Sequence, residues 1–429
     1  MAVKSESVAV VSIGDELAIG QSLDTNSKWL SEKLTERGLT VVEHVTVPDD
    51  LERLVATLRR LARTCSKIVV TGGLGPTEDD LTREAVGMLL GERLVEDQES
   101  LEAIRAWFAA AKRMMPERNR VQALRPESGV HLSNPNGTAP GLRVLFEGTT
   151  ILCLPGPPGE MRPMFERVVE TEIQPPEGRK IRTMVFQTIC AGESDVAGRL
   201  GVLMSRGRNP LVGTTASAGI VSVRVRYEGG GTEDEVARLL DQTSAAVRDA
   251  VGDLVFAEGG GSLAEVALEK LRRVGGRLAT VESCTGGMLG QSLTAIAGSS
   301  DVYVGGWVTY SNEMKSRLVG VDRGVIERCG AVSREVACEM ASGGLARSDA
   351  DHCLAITGVA GPGGGTAEKP VGTVWIGLAS REGGVDCRRF QMRGERDSVR
   401  QWSVSSALGM LVLRLDGRSG VRLLRQAEA

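Results

Sequence analysis

Histidine and aromatic residues are scarce in this sequence. Three histidines, His44, His131 and His352, among 429 residues provide poorly for a multi-histidine zinc centre or a histidine-based catalytic triad. Phenylalanine, tryptophan and tyrosine together make up only 3%, which argues against the aromatic platforms on which nucleic-acid bases stack. No apolar run reaches the length that spans a bilayer, and Met1–Ser7 is too short and polar for a secretory signal. The eight cysteines, at 65, 153, 190, 284, 329, 338, 353 and 387, stand singly without a CxxC pair, the pattern of reduced, packed thiols in a cytoplasmic protein. A net charge of −4 supports neither a nucleic-acid surface nor an anionic-membrane surface, only local basic pockets.

What is present is ordinary globular composition, 41% hydrophobic and 25% charged, in a chain long enough for two or three domains. In the first part, strands expected at Ser7–Ile13, Thr40–Val47, Lys67–Val70 and Thr150–Leu154 alternate with helices expected at Leu23–Gly38 and Leu51–Arg63. Alternation of this kind implies an α/β domain with a parallel sheet, whose ligands sit at the carboxyl ends of strands. Those ends carry Gly14-Asp15-Glu16, then Asp24-Thr25-Asn26, then TGGLGPTEDD at Thr71–Asp80. Gly72, Gly73 and Gly75 let backbone approach an anion, Thr77 with Asp80 resembles a capping box at a helix start, and Glu78, Asp79 and Asp80 offer hard oxygen ligands. Acidic residues in a first helical turn also complement the helix dipole with no ligand present. Two more turn-rich loops follow, NPNGTAPG at Asn134–Gly141 and LPGPPGEM at Leu154–Met161.

Pro175-Pro176-Glu177-Gly178 reads as a linker into a small α+β module with strands at Thr183–Ile189 and Ile220–Tyr227 and helices at Ser194–Leu203 and Asp234–Val251. Ala257–Ser262 reads as its exit, so the expected domains are 1–174, 175–257 and 258–429. The last domain is organised around ATVESCTGG, Ala279–Gly287: an apolar strand, a tight turn and a helix beginning near Met288. Ser283 and Cys284 then stand where the N–H groups of a helix N-terminus can hold negative charge. Ser283 needs a base, and Lys315 in the SNEMK segment is the substitute for a missing histidine, since a buried lysine can lose its proton near neutral pH. A lone helix lysine is otherwise solvated, and His352, opening an apolar strand, reads as structural. Gly358–Gly365 forms a candidate phosphate cradle, with Arg393, Arg396 and Arg400 as nearby cations, the last two spaced i and i+4. Together these residues suit a phosphorylated small substrate with a carbonyl to attack.

The motifs also carry a family resemblance. GDEL, DTN, TGGLGPTEDD, NPNGTAPG and LPGPPGEM, then GES and RNPLVGTTAS, then ESCTGG, YSNEMK, TGVAGPGGGTAEKPVGTV and FQMRGERDSVR resemble the CinA family from Gly14 to Arg400. The resemblance implies a MoaB/MogA-like molybdopterin-binding fold for the first domain, a spacer or dimer-forming middle module, and a C-terminal α/β amidase domain. By the same resemblance the last domain deamidates nicotinamide mononucleotide to nicotinate mononucleotide and ammonia without a cofactor. Ser283 is then the nucleophile, in preference to the intrinsically stronger Cys284, with Lys315 as base and Thr357 completing the catalytic set. Thr285, Gly286, Gly287, Tyr310, Asn312, Gly358, Ala360, Gly361, Arg396 and Arg400 surround the nucleotide. For the first domain the family implies hydrolysis of ADP-ribose to AMP and ribose 5-phosphate with a divalent metal such as magnesium. Thr71, Gly72, Gly73, Gly75, Thr77 and Asn136 would bind substrate there, and Asp15, Glu16, Asp24, Asn26, Asp79 and Asp80 are the candidate ligands. The expectation is a cytoplasmic, homodimeric, two-headed hydrolase of pyridine-nucleotide salvage. The alternative is a nucleotide- or molybdopterin-binding scaffold or regulator in competence or DNA-damage response, without turnover in the first domain.

Overall fold

The computed structural model describes residues 7–173 and 178–428. They form two compact units, one of residues up to Arg182 with Glu228–Gly231, the other of Thr183–Tyr227 with the chain from Thr232 onward. Most of the expected linker, Pro175-Pro176-Glu177, lies outside the described residues.

In the first unit β1 (Ser7–Ile13), β2 (Thr40–Val47) and β3 (Lys67–Thr71) are followed by a separate two-stranded pair, β4 (Leu94–Glu96) with β5 (Leu124–Pro126). β6 (Val130–Leu132), β7 (Gly141–Phe146) and β8 (Thr149–Leu154) complete a six-stranded sheet of order β2-β1-β3-β8-β7-β6. Its first four strands are parallel, as expected; β7 and β6 run antiparallel to their neighbours. The reason is local. Glu147 and Gly148, at φ +48° and +79°, make a two-residue turn that can only join β7 to β8 as a hairpin. All of β1 is buried, and its alternating side chains feed two cores: Val8 and Val10 pack with Leu30, Leu34 and Phe165, whereas Ala9, Val11 and Ile13 pack with Leu54, Leu58 and Leu61.

A four-stranded sheet follows, of order β10-β11-β9-β12, from β9 (Lys180–Thr188), β10 (Leu211–Ser217), β11 (Ile220–Gly229) and β12 (Val255–Glu258). The sequence pattern anticipates only β9 and β11 of these. β10 lies inside a segment rich in Gly, Thr and Ser, and it pairs with β11 through a turn at Ala218 and Gly219, φ +46° and +87°. Short β12 is followed directly by glycines and so resembles a linker. The five-stranded sheet comprises β13 (Leu278–Glu282), β14 (Tyr303–Val308), β15 (His352–Gly358), β16 (Thr373–Ser380) and β17 (Gly384–Gln391), in the order β14-β13-β15-β16-β17. β14, β13 and β15 are parallel, and β16 and β17 return antiparallel. Helix Arg396–Leu415 packs with helix Leu263–Val274 on this sheet, and Ile189 and Phe256 join the same core. Among the described residues no helix is long and apolar enough to cross a membrane.

Candidate active sites

β13 is buried along its whole length and ends at Glu282, so Ser283 emerges at the carboxyl edge of a central strand. The ladder continues one residue further, because Ser283 N–H donates to Ile356 O of β15 at 2.9 Å. Opposite stands helix Asn312–Val319, capped by the Ser311 hydroxyl, which accepts from Met314 N–H at 3.2 Å. Side chains in a first turn lean toward the helix N-terminus, and Lys315 accordingly reaches back into the sheet edge. It is 1% exposed. Its Nζ lies 3.0 Å from Ser283 Oγ, 2.9 Å from Thr309 O and 3.4 Å from Tyr310 O. Burial pushes the lysine below its ordinary range, and no carboxylate forms an ion pair with it among the described residues. The ammonium form donates to all three oxygens; once deprotonated, the amine keeps two hydrogens for the carbonyls and turns its lone pair to the serine hydroxyl. The neighbouring Cys284 thiol is pushed up to about 12 by burial and stays protonated at neutral pH.

The turn after Ser283 corrects one expectation. The N–H groups at the start of helix Met288–Thr294 are not free to hold an anion: the buried Glu282 carboxylate accepts from Gly287 N at 3.0 Å, Leu289 N at 3.0 Å and Gly290 N at 2.8 Å. The donors left in the turn, without a protein acceptor among the described residues, are the N–H groups of Cys284 and Thr285. Gly286 and Gly287 adopt φ +59° and +98°, which makes so tight a turn possible. The Thr285 hydroxyl is buried with no hydrogen-bond partner.

Arginines and loops close the surroundings. Arg396 donates to Gly361 O at 2.7 Å and to the Tyr310 hydroxyl at 3.1 Å; Arg400 donates to Thr285 O at 2.9 Å and to Asp397 at 3.0 Å. Arg396 therefore ties the glycine loop to Tyr310, and Arg400 is held against the Ser283 turn. Thr357 is buried at the end of β15 and donates to Ala331 O at 2.8 Å, so its hydroxyl proton is committed to the scaffold. Gly358 packs against Val374, Ala360 is buried, and exposed Asn312 begins the lysine's helix. His352 is structural as expected, its Nδ1 lying 2.8 Å from the Ser380 hydroxyl.

In the first unit a cavity of about 420 Å³ opens at the carboxyl ends of β1 and β3, lined by Gly14, Glu16, Asp49, Gly72, Gly73, Gly75, Thr77, Asp79 and Asp80, with Thr138 and Glu160 from the later loops. Gly72, at φ +106°, would place a Cβ 2.6 Å from Ile13 O, so only glycine fits. Asp15 and Asp49 clasp one another, Asp15 N donating to Asp49 Oδ2 at 2.9 Å and Asp49 N to Asp15 Oδ1 at 3.1 Å. Burial, together with the charges of Asp15, Asp79 and Glu16, holds Asp49 above the usual carboxylate range. Asp49 follows β2 without a motif around it and is not anticipated from the sequence. The same is true of buried Arg83, which ties down the loop by donating to Leu74 O at 2.8 Å and to Gly75 O.

Several candidates have other work. Asp24 caps helix Thr25–Glu36 by accepting from Ser27 N. Asn26 donates to Thr71 and to Gly156 O, Thr71 donates to Pro155 O, and Asn136 donates to Gly159 O, all joining loops to one another. Asp80 accepts from Gly75 N at 2.6 Å and Thr77 N at 2.9 Å, and it shapes the glycine loop rather than opening a helix, which starts only at Thr82. Among the described residues no three His, Cys, Asp or Glu side chains converge as a formed metal site.

Comparison with known proteins follows the same division. The CinA C-terminal domain matches residues 261–415, a molybdopterin-binding domain residues 9–175, and the damage-inducible protein CinA KH domain residues 183–257. A competence-damage inducible protein of Caldanaerobacter subterraneus is 37% identical over 409 residues, covering 95% of this chain and 98% of its own. The chain belongs to the CinA family. A CinA-like protein of Solibacter usitatus is 36% identical across 96% of this chain and 98% of its own length. Among solved structures, CinA from Thermoplasma acidophilum is 31% identical, covering 39% of this chain and 98% of that one with a TM-score of 0.37. A competence/damage inducible protein from Agrobacterium tumefaciens is 43% identical, covering 36% and 93% with a TM-score of 0.35. For this CinA protein the fold is α/β throughout, with a MoaB-like first domain and further α/β modules.

Proposed function

We propose that this CinA-family protein is an amidohydrolase acting on nicotinamide mononucleotide through Ser283 and Lys315. The observation that carries the reading is the 3.0 Å contact between a buried, unpaired lysine and a serine hydroxyl. Ser283 Oγ attacks the carboxamide carbon while its proton passes to Lys315 Nζ, and the N–H groups of Cys284 and Thr285 receive the oxyanion. Collapse breaks the C–N bond, Lys315 returning the proton to the leaving nitrogen, which departs as ammonia. Water then adds to the Ser283 ester, giving its proton to Lys315; the carboxylate leaves and the serine is restored. Arg396 and Arg400, each with donors beyond those used in holding the loops, suit the substrate phosphate. Ammonia release from nicotinamide mononucleotide, measured beside Ser283→Ala and Lys315→Ala, tests this. Loss in both variants with folding unchanged supports it, and an unmodified protein that binds the nucleotide without releasing ammonia overturns it.

A second reading rests on the acid-lined cavity beside Gly72–Gly75. We infer that the first domain hydrolyses ADP-ribose at its pyrophosphate, giving AMP and ribose 5-phosphate. Glu16, Asp49 and Asp79 line this cavity, with Asp15 clasped to Asp49, and theirs are the hard carboxylate oxygens that would hold a divalent cation such as magnesium; the charges of Asp15, Asp79 and Glu16 add to burial in raising Asp49. Asp24 spends Oδ1 on capping its helix and Asn26 spends its amide N–H on Gly156 O, which leaves Asp24 Oδ2 and the buried Asn26 Oδ1, unpartnered among the described residues, as further oxygen ligands. Bound there, such an ion supplies charge neutralisation for a pyrophosphate. The chain's own part is the glycine loop, which brings backbone close to the phosphates, and Arg83, which fixes that loop from behind. Binding of ADP-ribose with no AMP formed in the presence of magnesium would instead favour the non-catalytic scaffold.

A further inference from the structure

A cavity of about 630 Å³ in the second unit stands apart from the Ser283 site. It lies between the turn of the β10–β11 hairpin, the end of β17, Trp402 and the segment Leu424–Ala427. Neither Arg396 nor Arg400 lines it, whereas Arg393, which the sequence groups with them, does. We propose that this cavity binds a phosphorylated nucleoside, separately from the catalytic turn.

Three regions of its wall match three parts of such a ligand. Arg425 lies over the Trp402 ring at 3.9 Å from the centroid, making a flat cationic platform of the kind on which a planar base stacks. Arg425 is also held in place at some cost. Its φ is +64°, unusual for a side-chain-bearing residue, and that backbone is fixed by Gln391 N donating to Arg425 O at 3.0 Å and Ala427 N donating to Arg389 O at 2.9 Å. The hairpin turn also packs closely on the ring: a Cβ at Gly219 would stand 2.8 Å from Trp402 Cζ3. Arg393 and Arg425 are adjacent, Arg425 donating to Arg393 O at 3.3 Å, and neither has a carboxylate partner among the described residues. Two like charges brought together without a counter-ion suit a phosphate. Glu193, which accepts from the Thr214 hydroxyl at 3.0 Å, is the acidic side chain in the wall and offers an acceptor for ribose hydroxyls. The volume lies within the range of small-molecule sites.

Calorimetric titration of the full chain with AMP, adenosine and inorganic phosphate tests the proposal, beside Arg425→Met and the cavity-filling Ala216→Trp, each checked for an unchanged thermal midpoint. The expected result is an AMP-binding event that both variants lose or weaken by at least ~10-fold, with adenosine and phosphate each weaker than AMP. Because AMP is also the expected product in the first unit, the reading is the event that disappears in the cavity variants, whatever remains elsewhere. Identical isotherms for the unaltered chain and both variants would overturn it, as would phosphate binding as tightly as AMP.

Discussion

Lys315 gives up its hydration shell for one hydroxyl and two carbonyl oxygens, and its burial is what lowers its affinity for a proton. The unfolded chain keeps that proton up to the ordinary 10.5. Between the folded and unfolded values the unfolded state therefore binds more protons, so stability rises with pH across that window and the penalty is full below it. Ammonia release should show the matching ascending limb, with its midpoint below 10.5, in a pH profile of kcat/KM. Lys315→Ala should lose roughly 10²–10⁴-fold, and Lys315→Arg should fare no better, because a guanidinium does not deprotonate. Cys284→Ala should retain ammonia release, since a thiol pushed up to about 12 is no nucleophile at neutral pH; a rate that survives Ser283→Ala and vanishes in Cys284→Ala would move the chemistry to sulfur. The serine and lysine were legible in the sequence because they sit in long motifs. Asp49 was not, because its partner Asp15 lies far off in sequence, and Arg83 was not, because a lone arginine just past a motif reads as a solvated helix residue although it reaches back to Leu74 and Gly75.

Glu282 shows what a strand-turn-helix element needs beyond its glycines. Its carboxylate takes three backbone N–H groups of the following helix start. The expected anion site is thus filled by the chain itself. Glu282→Ala would leave those buried donors unpaired, and we expect a loss of about 3 kcal/mol in the denaturant midpoint, together with reduced ammonia release as the Ser283 turn relaxes. Glu282→Gln should recover part of the stability, as a neutral acceptor replaces a charged one. From the sequence, Glu282 merely ends an apolar run; its partners are five to eight residues later, a spacing no ordinary N-cap pattern flags. The same locality explains the unanticipated strands. β10 and β17 have weak alternation of their own and exist because an already formed neighbour, β11 or β16, offers an edge at the far side of a tight turn.

Across the molecule the two candidate sites occupy equivalent places in different sheets. β1 lies between β2 and β3, and β13 between β14 and β15, so in each sheet successive connections depart to opposite sides of the first strand. A crevice opens at the carboxyl ends where they diverge. This much of the architecture followed from strand-helix alternation alone, whereas the antiparallel halves depended on local turns, Glu147-Gly148 between β7 and β8 and residues 381–383 between β16 and β17. Because the sites belong to separate compact units, Asp49→Asn should abolish AMP production from ADP-ribose, read by chromatography, and leave ammonia release unchanged. Loss of both with a lower thermal midpoint would mark a folding defect instead. The ladder around Ser283 has one more implication. Its N–H is bonded to β15, and the carbonyl just before it accepts from Thr309 N beyond β14 at 2.7 Å. Ser283 is woven into the centre of the sheet, so its amide should exchange with deuterium as slowly as the deepest core. Heat should then displace Ser283 only when the sheet itself comes apart, so that ammonia release and the fold are lost at one temperature.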